Sequence, residues 1–74
     1  MKEKVLEVIN LIRVAKNLPA VESITDNTRL REDLELTSFD MAELTVRIED
    51  EYGIDIFEDG LVNTVGEIYA KLQK

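Results

Sequence analysis

The sequence predicts an all-α fold, a small helical bundle with one long crossover loop. Three observations carry that reading. Apolar residues recur at helical spacing in three segments, no strand-like alternation persists, and turn-forming residues gather between the first two segments. At 74 residues the chain is long enough for one domain with a modest core. A hydrophobic content of 45% spread along the length argues against a disordered acidic tail.

In the first segment Val5, Leu6, Ile9, Leu11 and Ile12 alternate with Lys4, Glu7, Asn10 and Arg13, predicting a helix over about residues 2–16. Asn17-Leu18-Pro19 ends it, because proline disfavours helical geometry in the residue before it. Residues 17–36 then form a long connection rich in Ser, Thr, Asp and Asn. Val21, Ile24, Leu30 and Leu34 are expected to pin it to the core, so that it is ordered.

The central helix is expected from Ser38 to about Tyr52, with Gly53 as a left-handed stop. Thr37 and Asp40 have capping-box spacing, which makes Thr37 the N-cap and Ser38 the first helical residue. Residues 54–62 leave room for one short helical turn. Thr64-Val65-Gly66-Glu67 repeats the capping-box spacing and opens a last helix through about Leu72, in which Gly66 costs about 1 kcal/mol relative to alanine.

On a wheel of about 100° per residue, Met41, Leu44, Ile48 and Tyr52 form one face of the central helix, suited to the core. Phe39, Ala42 and Val46 form a second stripe, flanked by Glu43 and Asp50 on one side and Glu49 on the other. Two readings are open. Phe39 tucks beneath residues 30–36, or the stripe is an exposed docking surface in which the apolar centre supplies affinity and the carboxylates supply register.

Charge and composition exclude several functions. A net charge of −7 repels nucleic-acid phosphates and anionic lipid surfaces; it either favours partners with basic patches or simply keeps a small protein in solution. No apolar run is long enough for a signal peptide or a membrane span, so a cytoplasmic protein without membrane insertion is expected. With no histidine and no cysteine, Ser38 lacks the usual base of a serine hydrolase, and a zinc site lacks its usual ligands. The run Asp55-Ile56-Phe57-Glu58-Asp59-Gly60 fails as a calcium loop, since Phe57 holds its third position. An exposed serine without a catalytic partner, close to free N–H groups at a helix start, reads either as a simple capping residue or as a point of modification by another protein, favourable for an attached phosphate.

The segment Asp33-Leu34-Glu35-Leu36-Thr37-Ser38-Phe39-Asp40-Met41-Ala42-Glu43-Leu44 resembles the signature of the acyl carrier proteins, Asp-Leu-Gly-x-Asp-Ser-Leu-Asp-x-x-Glu-Leu. Downstream, Ile48-Glu49-Asp50-Glu51-Tyr52, Asp55-Ile56 and Asn63-Thr64-Val65-Gly66-Glu67 keep the register. The resemblance implies a four-helix bundle with a short helix 3. It implies a 4′-phosphopantetheine arm on Ser38, added by a phosphopantetheinyl transferase, whose thiol holds acyl groups as thioesters. The protein is then a carrier and not an enzyme, expected as a monomer whose acyl-processing partners bring basic docking patches. Phe39, Asp40, Ala42, Glu43, Val46, Glu49 and Asp50 are its expected contact residues. Without modification, the Phe39/Ala42/Val46 patch would make it a plain helical interaction domain.

Two positions depart from the family pattern: Glu35 replaces the glycine, and Thr37 replaces the aspartate before the serine. Threonine still caps the helix, but a carboxylate beside the attachment site is lost. These departures point to a specialised carrier, for a polyketide, aminoacyl or unusual acyl group, over the housekeeping fatty-acid one.

Overall fold

Three helices enclose the core: α1 (Lys2–Ala15), α2 (Ser38–Tyr52) and α3 (Val65–Leu72). The computed structural model describes residues 2–58, 60 and 62–73; the expectations that touch Met1, Asp59 and Leu61 lie outside them. Among the described residues no strand forms; a single antiparallel bridge joins Arg29 to Thr64.

The helix ends follow from local chemistry. Asn17 adopts a left-handed φ of 66°, and the N–H groups of Leu18 and Asn17 return to the carbonyls of Arg13 and Val14. This is a Schellman stop built on asparagine, just before Pro19. Thr37 and Thr64 close capping boxes with Asp40 and Glu67, as their spacing predicts. Gly53 ends α2 at φ 70° and donates its N–H to the Glu49 carbonyl.

The short helical turn expected between α2 and the last helix is seen at residues 56–58. Glu58 N–H bonds Asp55 O, Gly60 N–H bonds Phe57 O, and the Asp55 carboxylate accepts from Phe57 N–H. Asp55 thus caps a single turn whose bonds run three residues apart. Ile56 is fully buried and fastens that turn to the core.

Val5, Val8, Ile9 and Ile12 of α1 meet Met41, Leu44 and Ile48 of α2 and Val65, Ile68, Tyr69 and Leu72 of α3. Burying one such side chain contributes about 1.5–3 kcal/mol, so this cluster dominates the favourable side of folding. Leu11, placed by spacing with the apolar set of α1, is instead half-exposed, as is Val14. Arg13 takes an inward position: its guanidinium donates to the carbonyls of Pro19 (3.1 Å) and Leu34 (2.6 Å).

The long connection is ordered by the residues expected to order it. Leu30, Leu34 and Leu36 are buried, and Val21 and Ile24 pack against the core. The connection is also stitched to the start of α3, through Leu30 N–H to Asn63 O, Val65 N–H to Thr28 O and Gly66 N–H to Asp26 O. Gly66 is needed for this approach: a Cβ there would lie 2.8 Å from the Asp26 carbonyl oxygen. Its role is therefore close packing, which outweighs its low helix propensity.

Candidate functional site at the start of helix α2

The site is built where the crossover loop enters α2. Leu34 and Leu36 bury themselves on either side of Glu35, and Leu36 N–H bonds Leu30 O at 3.0 Å. Between them Glu35 is forced to φ 59°. That is a left-handed position, which explains why a glycine suits it and why glutamate is under strain there.

Thr37 stands next in extended geometry (φ −83°, ψ 174°), its hydroxyl accepting from Asp40 N–H at 3.1 Å. In return Asp40 Oδ2 accepts from Thr37 N–H at 2.9 Å. Lys16, at the end of α1, adds a second hold: its ammonium donates to Asp40 Oδ2 at 2.5 Å and to Glu35 O at 2.6 Å. Burial disfavours ionisation of Asp40, but the hydrogen bonds from Lys16 and Thr37 outweigh it and hold the carboxyl below its usual range.

Ser38 follows as the first helical residue and is exposed. Its Oγ accepts a hydrogen bond from the Arg31 guanidinium. The neighbouring Arg29 is directed elsewhere, to Asp33 at 3.4 Å and Glu32 at 3.7 Å. Hydrogen bonds from the Arg29 N–H and guanidinium hold the Asp33 carboxyl below its usual range.

Beyond Ser38 the two faces of α2 separate as the wheel predicts. Met41, Leu44 and Ile48 are buried, and Tyr52 packs against the same cluster. Phe39 is 84% exposed and Val46 64%, and Ala42 is exposed beside them. Of the two open readings, the one in which Phe39 tucks beneath residues 30–36 is thus excluded. Glu49 and Asp50 are exposed, and Glu43 is half-buried and paired with Arg47 at 2.9 Å.

Asp40 departs from the set of expected surface contacts. It is 8% exposed and turns toward Lys16 and Thr37. The capping-box spacing already held this signal, because a carboxylate that closes the box is committed to the helix start. Sequence reasoning missed Lys16, Arg31 and Arg13. A basic residue in the last turn of a helix was a faint pointer to Lys16. Nothing in the spacing of Arg31 pointed to Ser38 across an irregular loop.

The site holds no catalytic set. No histidine or cysteine exists in the chain, and among the described residues no cluster could hold a metal ion. What it offers is an exposed hydroxyl at a helix start, beside a cation. That arrangement fits an attached phosphodiester, which needs an accessible oxygen and is favoured by the helix N-terminus and a nearby cation.

Comparison with known proteins agrees with this chemistry. Residues 6–72 match the family model described as a phosphopantetheine attachment site. An acyl carrier protein of Lactobacillus acidophilus is 36% identical over 72 residues, covering 90% of each chain. The meromycolate extension acyl carrier protein of Mycolicibacterium aurum is 30% identical over 71 residues, covering 90% of this chain and 73% of its own. An acyl carrier protein of Rhodococcus erythropolis is 30% identical over 71 residues, covering 90% of this chain and 78% of its own. With its capped serine, its all-helical fold and these relatives, the chain belongs to the acyl carrier protein family, whose prosthetic group is phosphopantetheine.

Proposed function

We propose that Ser38 carries the 4′-phosphopantetheine arm and that the protein shuttles acyl groups, held as thioesters on the arm's thiol, between partner enzymes. The observation that carries this reading is the exposed Ser38 hydroxyl at the first position of α2, next to the exposed Phe39. The arm supplies the sulfur nucleophile that the chain lacks. The residues around it present and orient: Thr37 and Asp40 fix the helix start, and Lys16 ties that start to α1.

Phe39, Ala42 and Val46 form the apolar centre of the partner surface, with Glu43, Glu49 and Asp50 as its acidic rim. A phosphopantetheinyl transferase and acyl-processing enzymes with basic docking patches are the partners this surface suits. The net charge of −7 opposes nucleic acid as a partner. No helix among the described residues is long and apolar enough to cross a membrane, which is in keeping with a monomeric carrier domain acting in the cytoplasm. Glu35 and Thr37 are both accommodated locally, the first in a left-handed turn and the second as a cap. They therefore bear on which transferase and pathway the carrier serves, and favour a specialised one.

The test is incubation with coenzyme A and a broad-specificity phosphopantetheinyl transferase, followed by intact mass. The expected gain is one phosphopantetheine per chain, absent from Ser38→Ala. A folded chain that gains no mass with several transferases sinks the carrier reading and leaves the plain interaction domain.

A further inference from the structure

We infer that Arg31 is the phosphate-binding residue of the modified protein: its guanidinium engages the phosphodiester on Ser38 and sets the direction in which the arm leaves the helix. This rests on the reading of Ser38 as the attachment point.

The geometry starts from the contact between Arg31 and Ser38. Its guanidinium already donates to Ser38 Oγ, the oxygen that would bear the phosphorus. A phosphorus bonded to that oxygen is one bond away, so its two non-bridging oxygens fall in the zone the guanidinium occupies. A neutral hydroxyl is a weak match for a group with five N–H donors and a full charge. An anionic phosphodiester offers two acceptors, and arginine is suited to a bidentate grip on them.

Arg31 is also placed and left available. Its backbone lies in the turn between Arg29 and Leu34, closed by Asp33 N–H and Leu34 N–H to Arg29 O. Leu30 on one side and Leu34 on the other are buried, which keeps the turn from drifting. The nearby carboxylates of Glu32 and Asp33 pair with Arg29 and do not compete for Arg31. Among the described residues Arg31 pairs with no carboxylate.

Two consequences can be read separately. Holding the phosphate should narrow the range of arm directions at its root, and the modified site should carry less uncompensated negative charge. The experiment compares unmodified and modified wild-type protein by the 15N-resolved Arg31 Nε–H signal, and modified wild type, Arg31→Lys and Arg31→Ala by 31P NMR. Mass spectrometry confirms modification of each sample. The expected result is a downfield shift of the Arg31 Nε–H signal on modification, together with a moved and narrowed 31P resonance in Arg31→Ala. Arg31→Lys should fall between, since an ammonium grips as a point charge. Modified wild type with an unmoved Nε–H signal, and a 31P resonance identical in Arg31→Ala, overturns the inference alone. Wild type that gains no mass overturns the Ser38 reading and the inference together. The Nε–H comparison uses wild type only, so it stands even where a variant is a poor transferase substrate.

Discussion

Lys16, the residue after α1, places its ammonium 2.5 Å from the Asp40 carboxylate in the first turn of α2. The pair joins the two ends of the crossover loop directly. It also bonds the Glu35 carbonyl, so one cation organises three segments around Ser38.

Lys16→Ala should lower stability by about 1.5–3 kcal/mol, the range for a hydrogen bond to a charged group. The urea midpoint should fall with little change in slope. Asp40→Asn should show a pH signature. The Asp40 carboxyl titrates below its usual range in the folded protein because hydrogen bonds from Lys16 and Thr37 outweigh its burial. Its contribution is therefore complete above the unfolded carboxyl pKa of about 4 and is lost as pH falls through the lower folded value. Urea midpoints taken from pH 7 down to pH 2.5 should converge between wild type and Asp40→Asn at the acid end. A gap that stays constant over that range would exclude a role for the charge.

Glu35→Gly should stabilise. A non-glycine residue at φ 59° carries a left-handed penalty of about 1 kcal/mol, part of which is returned as extra freedom of glycine in the unfolded chain. The net expectation is a gain of about 0.5 kcal/mol, and a loss for Glu35→Val, which adds β-branching at the same angle. The Lys16 bond to the position 35 carbonyl survives both changes. Calorimetric melting of the three proteins decides the order.

Gly66→Ala should destabilise, against its helix propensity. Alanine is favoured by about 1 kcal/mol in a helix interior, but the new Cβ meets the Asp26 carbonyl oxygen at 2.8 Å. Overpacking against backbone costs about 1–3 kcal/mol. A melting temperature above wild type would show that the 25–28 turn yields freely.

On α2 the expected effects are functional and not structural. Phe39→Ala and Val46→Glu should each reduce the transferase kcat/KM at least tenfold, while their melting temperatures stay within the range of surface substitutions, about 0.5 kcal/mol. The wild-type reaction should also weaken as salt rises, because exposed carboxylates are screened over about 8 Å at physiological ionic strength. Equal losses of stability and activity would mean that the stripe is packing.

Most of this architecture was legible from period and punctuation. The bounds of α2 follow from Thr37 and Gly53, and the two faces of α2 from residue spacing alone. The short helical turn expected in residues 54–62 is met at 56–58, where Asp55 caps it by accepting from Phe57 N–H. What was missed was missed for separate reasons. Leu11 was grouped with the apolar set of α1, but it falls off the stripe of Val5, Val8, Ile9 and Ile12, and the helical period itself turns it outward. Asp40, Lys16 and Arg31 are brought together from three segments, and sequence distance hides such contacts. Glu35 was visible as a departure from the family pattern, but its backbone angle gives the physical meaning of that departure.

The stitches between residues 26–30 and 63–66 also bear on the order of synthesis. The loop that carries Arg31 is fastened by Asn63 and by the first residues of α3. When Ser38 leaves the ribosome, those anchors have not yet been made. The serine therefore acquires its finished surroundings only after residues 63–66 have emerged, and a transferase arriving earlier meets a looser substrate.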